Sequence, residues 1–197
     1  MFASLATVVL LAAAPATPTQ VVKDGNAAVQ KVLAQKGATV EQLATTVDGF
    51  VDFSELAKRA LGKDWDKLNK KQQDDFAATM KGLLRASYAQ KAIGQGKADV
   101  QYGAEKVEGN EATVPTTIAV KQDKIPVDYK LFRADPKAGW KIYDVVTDEV
   151  SLVETYRGQF RKLIADKGYD GLLTTLKNKK EQLEKQNGQA VGGSGQK

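Results

Sequence analysis

A chain of 197 residues, 42% of them apolar, has enough material for one domain with its own hydrophobic core. Lysine and arginine number 29 against 24 acidic residues; the resulting charge of +5 is spread along the chain and lacks the dense stripe of a nucleic-acid binder. There is no cysteine and no histidine, which excludes disulfides, thiolate nucleophiles, imidazole bases, Cys/His zinc sites and haem ligation by either residue.

The first element is an apolar run, Phe2 to Ala14, followed by Ala14-Pro15-Ala16 in an A-x-A-like pattern. It is too short to span a bilayer but has the length of a signal-peptide core, so residues 1–16 are expected to be a cleaved leader, despite an n-region without lysine or arginine. A single domain is expected over 17–186. Its first helix starts at Thr17-Pro18-Thr19-Gln20 and carries Val21, Val22, Ala28, Val29, Val32 and Leu33 up to Gly37. Thr39 with Gln42 opens a second helix (Leu43, Ala44, Val47). A third runs from Asp52 to Leu61 and stops at Gly62. Asn69 with Gln72 opens a longer helix whose stripe is Phe76, Met80, Leu83, Leu84 and Tyr88.

After Gly96 the apolar period falls from 3.6 to 2. Val100, Tyr102 and Ala104 alternate first; after a turn at Glu108-Gly109-Asn110-Glu111 come Ala112, Val114, Thr116, Ile118 and Val120, then Ile125, Val127, Tyr129 and Leu131, and a last strand from Trp140 to Val146. Short turns between these runs predict an antiparallel meander of about four strands. Pro115 and Pro126 mark edges, strand starts or bulges. The last strand is apolar on both faces, Trp140 and Ile142 on one and Tyr143 and Val145 on the other, so both faces are expected to be covered. Ser151 with Glu154 starts a further helix carrying Leu152, Val153, Tyr156, Phe160, Leu163 and Ile164. Gly168 interrupts it, Leu172 to Leu183 continue, and residues 187–197 are expected to be a disordered tail. Helices, then strands, then helices predict an α+β fold.

Chemistry without His or Cys must use carboxylates, Tyr, Lys, Ser or Arg. Asp144, inside the last strand, stands out: beside Tyr129 or Tyr143 it would imitate an isomerase site, a carboxylate base next to a phenol. The plainer reading binds Asp144 to backbone amides or to Arg157 where the strand bends. Arg157 itself either grips a phosphate or pairs with Asp144 or Asp148. No EF-hand loop, P-loop or G-x-S-x-G turn is present, and neither metal nor cofactor is expected.

Trp140-Lys141-Ile142-Tyr143-Asp144-Val145, Val150-Ser151-Leu152-Val153 and Tyr156-Arg157-Gly158-Gln159-Phe160 resemble the MlaC/toluene-tolerance family of periplasmic phospholipid-binding proteins. The likeness extends upstream through Asp52-Phe53, Ala60-Leu61-Gly62, Trp65, Phe76, Tyr88, Val114, Thr116 and Ile118, and downstream through Lys167-Gly168-Tyr169-Asp170-Gly171-Leu172. Where the family has Glu-Gly before Val-Ser, this chain has Asp148-Glu149. The resemblance implies helices wrapped on a curved sheet around an apolar pocket, and no catalysis. It implies a monomer that carries phospholipid across the periplasm between an outer-membrane lipoprotein complex and an inner-membrane ABC transporter complex, supporting outer-membrane lipid asymmetry. Periodicity and resemblance together assign the acyl chains to Phe76, Leu83, Leu84 and Tyr88 of the long helix, Val114, Thr116, Ile118, Tyr129 and Leu131 of the strands, and Val153, Tyr156 and Phe160. The rival expectations are an isomerase-type enzyme using Asp144 and a tyrosine, and an envelope adaptor with a solid core.

Overall fold

Each apolar stripe of the amino-terminal half has its own local start signal. In the computed structural model, which describes residues 16–92, 98–120 and 123–192, helix α1 (Pro18–Leu33) is capped by Thr17, whose hydroxyl accepts the Gln20 amide. Helix α2 (Val40–Asp48) opens on a complete capping box between Thr39 and Gln42. Helix α3 (Phe53–Leu61) begins on Asp52 and ends where Gly62 takes φ 63°, a conformation that favours glycine. A 3-10 turn (Gly62–Lys67) leads to α4 (Lys70–Ala92), where Asn69 and Gln72 each accept the other's backbone amide. Apart from Ala16, the expected leader lies outside the described residues.

Six strands follow: β1 (Asp99–Tyr102), β2 (Lys106–Glu108), β3 (Glu111–Val120), β4 (Asp123–Phe132), β5 (Lys141–Thr147) and β6 (Val150–Ser151). They form one antiparallel sheet in the order β1-β3-β4-β5-β6, with β2 also on β3. The two strands beyond the expected four are β2 and β6, whose three and two residues are too short to show a period. Pro115 sits in the gap between the pairings of β1 and β2 with β3, and Pro126 one residue beyond the pairing of β4 with β5.

A bulge sets the role of β5. Lys130 faces Asp144 and Leu131 faces Ile142, so Tyr143 is the extra residue. The expected strict alternation therefore fails there: Val145 rejoins Ile142 on one side, and Tyr143 turns to the other. The apolar interior splits accordingly. A helical core holds Leu56, Ala60, Phe76, Met80, Phe160, Leu172 and Tyr143, and a sheet-side core holds Val22, Ala112, Val114, Leu131, Trp140 and Ile142. Helix α5 (Leu152–Gly192) starts at Ser151 and breaks at Gly168 (φ 67°). Its backbone runs helical to Gly192, so the expected domain end at 186 falls inside it; residues 193–197 lie outside the described ones.

Candidate functional site

Between the two cores lies an apolar cavity of about 260 Å³, within about 850 Å³ of atom-free space when its mouth is included. The enclosed 260 Å³ lies just under the roughly 300–1,000 Å³ of a small-molecule site. Leu43, Ala44 and Val47 of α2 form one wall, with Val29 of α1 and Val51 beside them. Phe53 and Leu56 of α3, Leu84, Arg85 and Tyr88 of α4, and Leu152 of α5 form the helical side; Ile142 to Val145 close the sheet side. The cavity exists because β5 feeds both cores: Ile142 is drawn to the sheet side and Tyr143 to the helices, and the space between them stays open.

Two polar groups of this wall, Asp144 and Tyr143, are committed to protein partners. Asp144 is buried, 3% exposed, and its carboxylate accepts the amides of Val145 (2.9 Å) and Val153 (3.0 Å) and the Ser151 hydroxyl (2.6 Å). It thus caps the start of α5, where a helix has unmet amides and favours negative charge. This is the amide-bonded arrangement expected of Asp144, without Arg157. The Tyr143 hydroxyl donates to Glu111 at 3.0 Å, and its ring lies 3.8 Å from the Arg59 guanidinium carbon. Burial pushes its phenol up to about 12; Arg59 opposes that shift and Glu111 adds to it. The hydrogen bond from Arg59 holds Glu111 below the usual carboxylate range. Tyr129 is raised by burial and donates to Asn26 at 3.5 Å. Tyr143 and Asp144 both line the cavity, but the Tyr143 hydroxyl is donated to Glu111 and the Asp144 carboxylate is taken up by Val145, Ser151 and Val153.

Arg157 corrects its expectation. It pairs with neither Asp144 nor Asp148: Nε and Nη2 donate to the Arg59 carbonyl at 3.0 and 2.9 Å, and Nη1 meets Glu154 at 2.5 Å. It serves the last turn of α3, whose carbonyls have no partner within the helix.

Of the twelve residues assigned to acyl chains, Leu84 and Tyr88 line the cavity. Phe76, Leu83, Val153 and Phe160 are in the helical core, Phe76 and Phe160 edge to face at 5.6 Å, with Tyr156 at its margin. Burial, reinforced by the neighbouring Tyr88, pushes the Tyr156 phenol up to about 12. Val114 and Leu131 pack under Val22, with Tyr129 at their margin. Thr116 is buried and donates to the Val127 carbonyl at 2.7 Å. Ile118 is half-buried opposite Ile125. Sequence reasoning missed α2 and the Val51–Leu56 stretch as walls. Ala44 is small enough to leave room, but so are Ala57 and Ala60, which are fully buried in the helical core. Residue size alone carries no signal of a cavity.

Among the described residues no helix is long and apolar enough to cross a membrane, and no group of three or more carboxylates is placed to hold a metal ion. The fold and its cavity define an α+β protein with an apolar chamber between helices and an antiparallel sheet. The chain matches the family model described as MlaC protein over residues 18–178, and it belongs to that family. It is 22% identical over 137 residues to the intermembrane phospholipid transport system binding protein MlaC of Haemophilus influenzae, covering 68% of this chain and 64% of that protein. The match therefore spans just under two thirds of the relative's length. A phospholipid-binding protein from Ralstonia solanacearum, solved in complex with a phospholipid, superposes with a TM-score of 0.74 at 25% identity, over 88% of this chain and 99% of that one.

Proposed function

We propose that this protein is a phospholipid carrier that houses acyl chain in the cavity between its two cores and performs no chemistry on it. The observation that carries the reading is that cavity: an almost wholly apolar chamber whose polar neighbours, Asp144 and Tyr143 among them, are already bonded to protein groups. Family membership and the phospholipid seen in the Ralstonia solanacearum structure support it. The leader-like amino terminus supports a periplasmic location, and the name of the Haemophilus influenzae relative supports transport between membranes. In this reading the monomer collects lipid from one membrane complex, an outer-membrane lipoprotein assembly or an inner-membrane ABC transporter, and delivers it to the other.

The energetics make a carrier necessary. Each methylene moved out of water is worth about 0.8 kcal/mol, so about thirty in two tails amount to roughly 24 kcal/mol. A lipid crosses an aqueous gap at a useful rate only if something encloses that surface. Of the residues first assigned to the tails, Leu84 and Tyr88 keep that role, joined by Leu43, Val47, Phe53 and Ile142.

The test is native mass spectrometry of protein secreted to a bacterial periplasm. A mass increment equal to one or more phospholipids, regained from vesicles after delipidation, is the expected result. Protein that purifies without lipid and cannot be loaded would overturn the reading.

A further inference from the structure

Among the described residues the cavity wall contains one cation, Arg85, and one carboxylate, Asp144, which is spent on Val145, Ser151 and Val153. Arg85 also lines a surface cleft with Glu41, Lys81 and Gly82; Asp48 and Lys81 line another with Val51 and Phe53, which the cavity shares. The cluster Asp48, Lys81 and Arg85 thus stands where the apolar chamber meets solvent. Lys81 Nζ lies 2.7 Å from Asp48 Oδ2, and Arg85 Nη2 pairs with the same oxygen. Glu41, its side chain 78% exposed, is 3.8 Å from Arg85 Nη1 and largely screened by water. Two cations therefore share one partly buried carboxylate, with the exposed Glu41 as the second counter-charge; Asp52, Asp74 and Lys141 line the same cleft as Lys81. Arg85 Nε and Asp48 Oδ1 are both buried without a hydrogen-bond partner among the described residues, so the ion pair made through Nη2 leaves one donor and one acceptor of the cluster unmet. A charged donor left unmet in a buried place calls for an acceptor that arrives from outside.

We propose that Arg85, backed by Lys81, is the polar anchor of the chamber: it takes a phosphate-ester oxygen of the bound lipid and favours headgroups of net negative charge. This rests on the carrier reading above. An arginine fork fits phosphate oxygens, and a charge-assisted bond at the edge of an apolar chamber is stronger than one in open water. A choline headgroup brings a quaternary ammonium with no N–H, adding positive charge beside two cations. A glycerol headgroup brings none, so its phosphate meets Arg85 without that added repulsion.

The experiment loads delipidated protein from an equimolar mixture of phosphatidylglycerol and phosphatidylcholine with identical acyl chains, read by native mass spectrometry. Wild type should take the anionic lipid about fivefold more often, the scale of one partly solvated charge contact. Among the lipid it does take, R85Q should show a ratio near one, and K81Q should fall between. If R85Q does not fold, K81Q carries the comparison, since Lys81 lies at the surface margin. A wild-type ratio near one, or ratios unchanged in folded variants, overturns the anchor and leaves the carrier standing. Failure of wild type to load any lipid overturns the carrier itself. Excess inorganic phosphate should leave the wild-type ratio in place; if it erases the preference without reducing loading, the cluster is a free-anion site and the headgroup assignment falls.

Discussion

At the scale of single residues, Asp144 and Glu149 bracket the same hairpin and make opposite contributions. Asp144 accepts three hydrogen bonds, two of them from backbone amides, and the Val153 amide has no other partner at the start of α5. Asp144→Asn keeps the shape but removes the charge and one accepting oxygen. It should cost about 2–4 kcal/mol by urea unfolding, since bonds to a buried charged group are worth more than neutral ones and do not add simply. If the variant that folds still loads lipid, a base role for Asp144 has no support. Asp148 (φ 49°) and Glu149 (φ 65°) form the two-residue loop between β5 and β6, with Thr147 opposite Val150. Positive φ at both positions is the type I′ geometry that Asp-Gly satisfies without strain. Glutamate in the left-handed region costs about 1–2 kcal/mol, while glycine gives back roughly half of that as freedom in the unfolded chain. Glu149→Gly should therefore stabilise by about 0.5–1 kcal/mol, and an unchanged or lower unfolding midpoint would refute the strain.

At the scale of elements, what was legible in the sequence was what neighbouring residues decide. Thr17, Thr39, Asp52, Asn69 and Ser151 cap helices because capping needs only three or four residues of context. The long strands announced themselves by alternation. The bulge at Tyr143 did not, because it depends on how β4 is registered, and it moves Val145 to the side opposite Tyr143. Gly25, in the middle of α1, is another long-range case: a Cβ there would meet the Phe50 ring at 3.0–3.1 Å. Glycine is normally costly inside a helix, so its presence marks the close seating of α1 on Phe50. Gly25→Leu should lower stability by about 1–3 kcal/mol, measured by denaturant unfolding, because the ring must move.

The contact between α4 and α5 makes a prediction about pH. The Tyr156 phenol stays protonated to about pH 12 in the folded chain through burial and Tyr88, against 10.0 for a free phenol. A folded state that holds its proton more tightly keeps that contribution in full below the unfolded value. It loses the contribution as pH rises from about 10 to about 12. Tyr156→Phe removes the titration, so its stability should fall less steeply than wild type between about pH 10 and about pH 12. Equal slopes in the two proteins would show that Tyr156 does not titrate late.

At the scale of the whole molecule, the defining feature is an interior that does not close into one core. Ten of the twelve residues assigned to the ligand do not line this cavity, because an apolar stripe reports burial without reporting what it is buried against. Val114 and Leu131 face Val22 of α1, a helix sixteen residues long whose seating on the sheet no local pattern reveals. Ala44 gives the decisive test, since it lines the chamber yet is only 3% exposed. In a packed core, Ala44→Phe would overfill the site and cost about 1–3 kcal/mol. In a chamber that stands open for a ligand, the added ring occupies free volume, and cavity filling of this kind commonly stabilises by about 0.5–2 kcal/mol. The variant should unfold at a denaturant concentration equal to or above that of delipidated wild type, and it should carry markedly less lipid in native mass spectra. Lower stability with undiminished lipid would place the ligand elsewhere. Greater stability together with lost cargo would place the acyl chain in this apolar chamber.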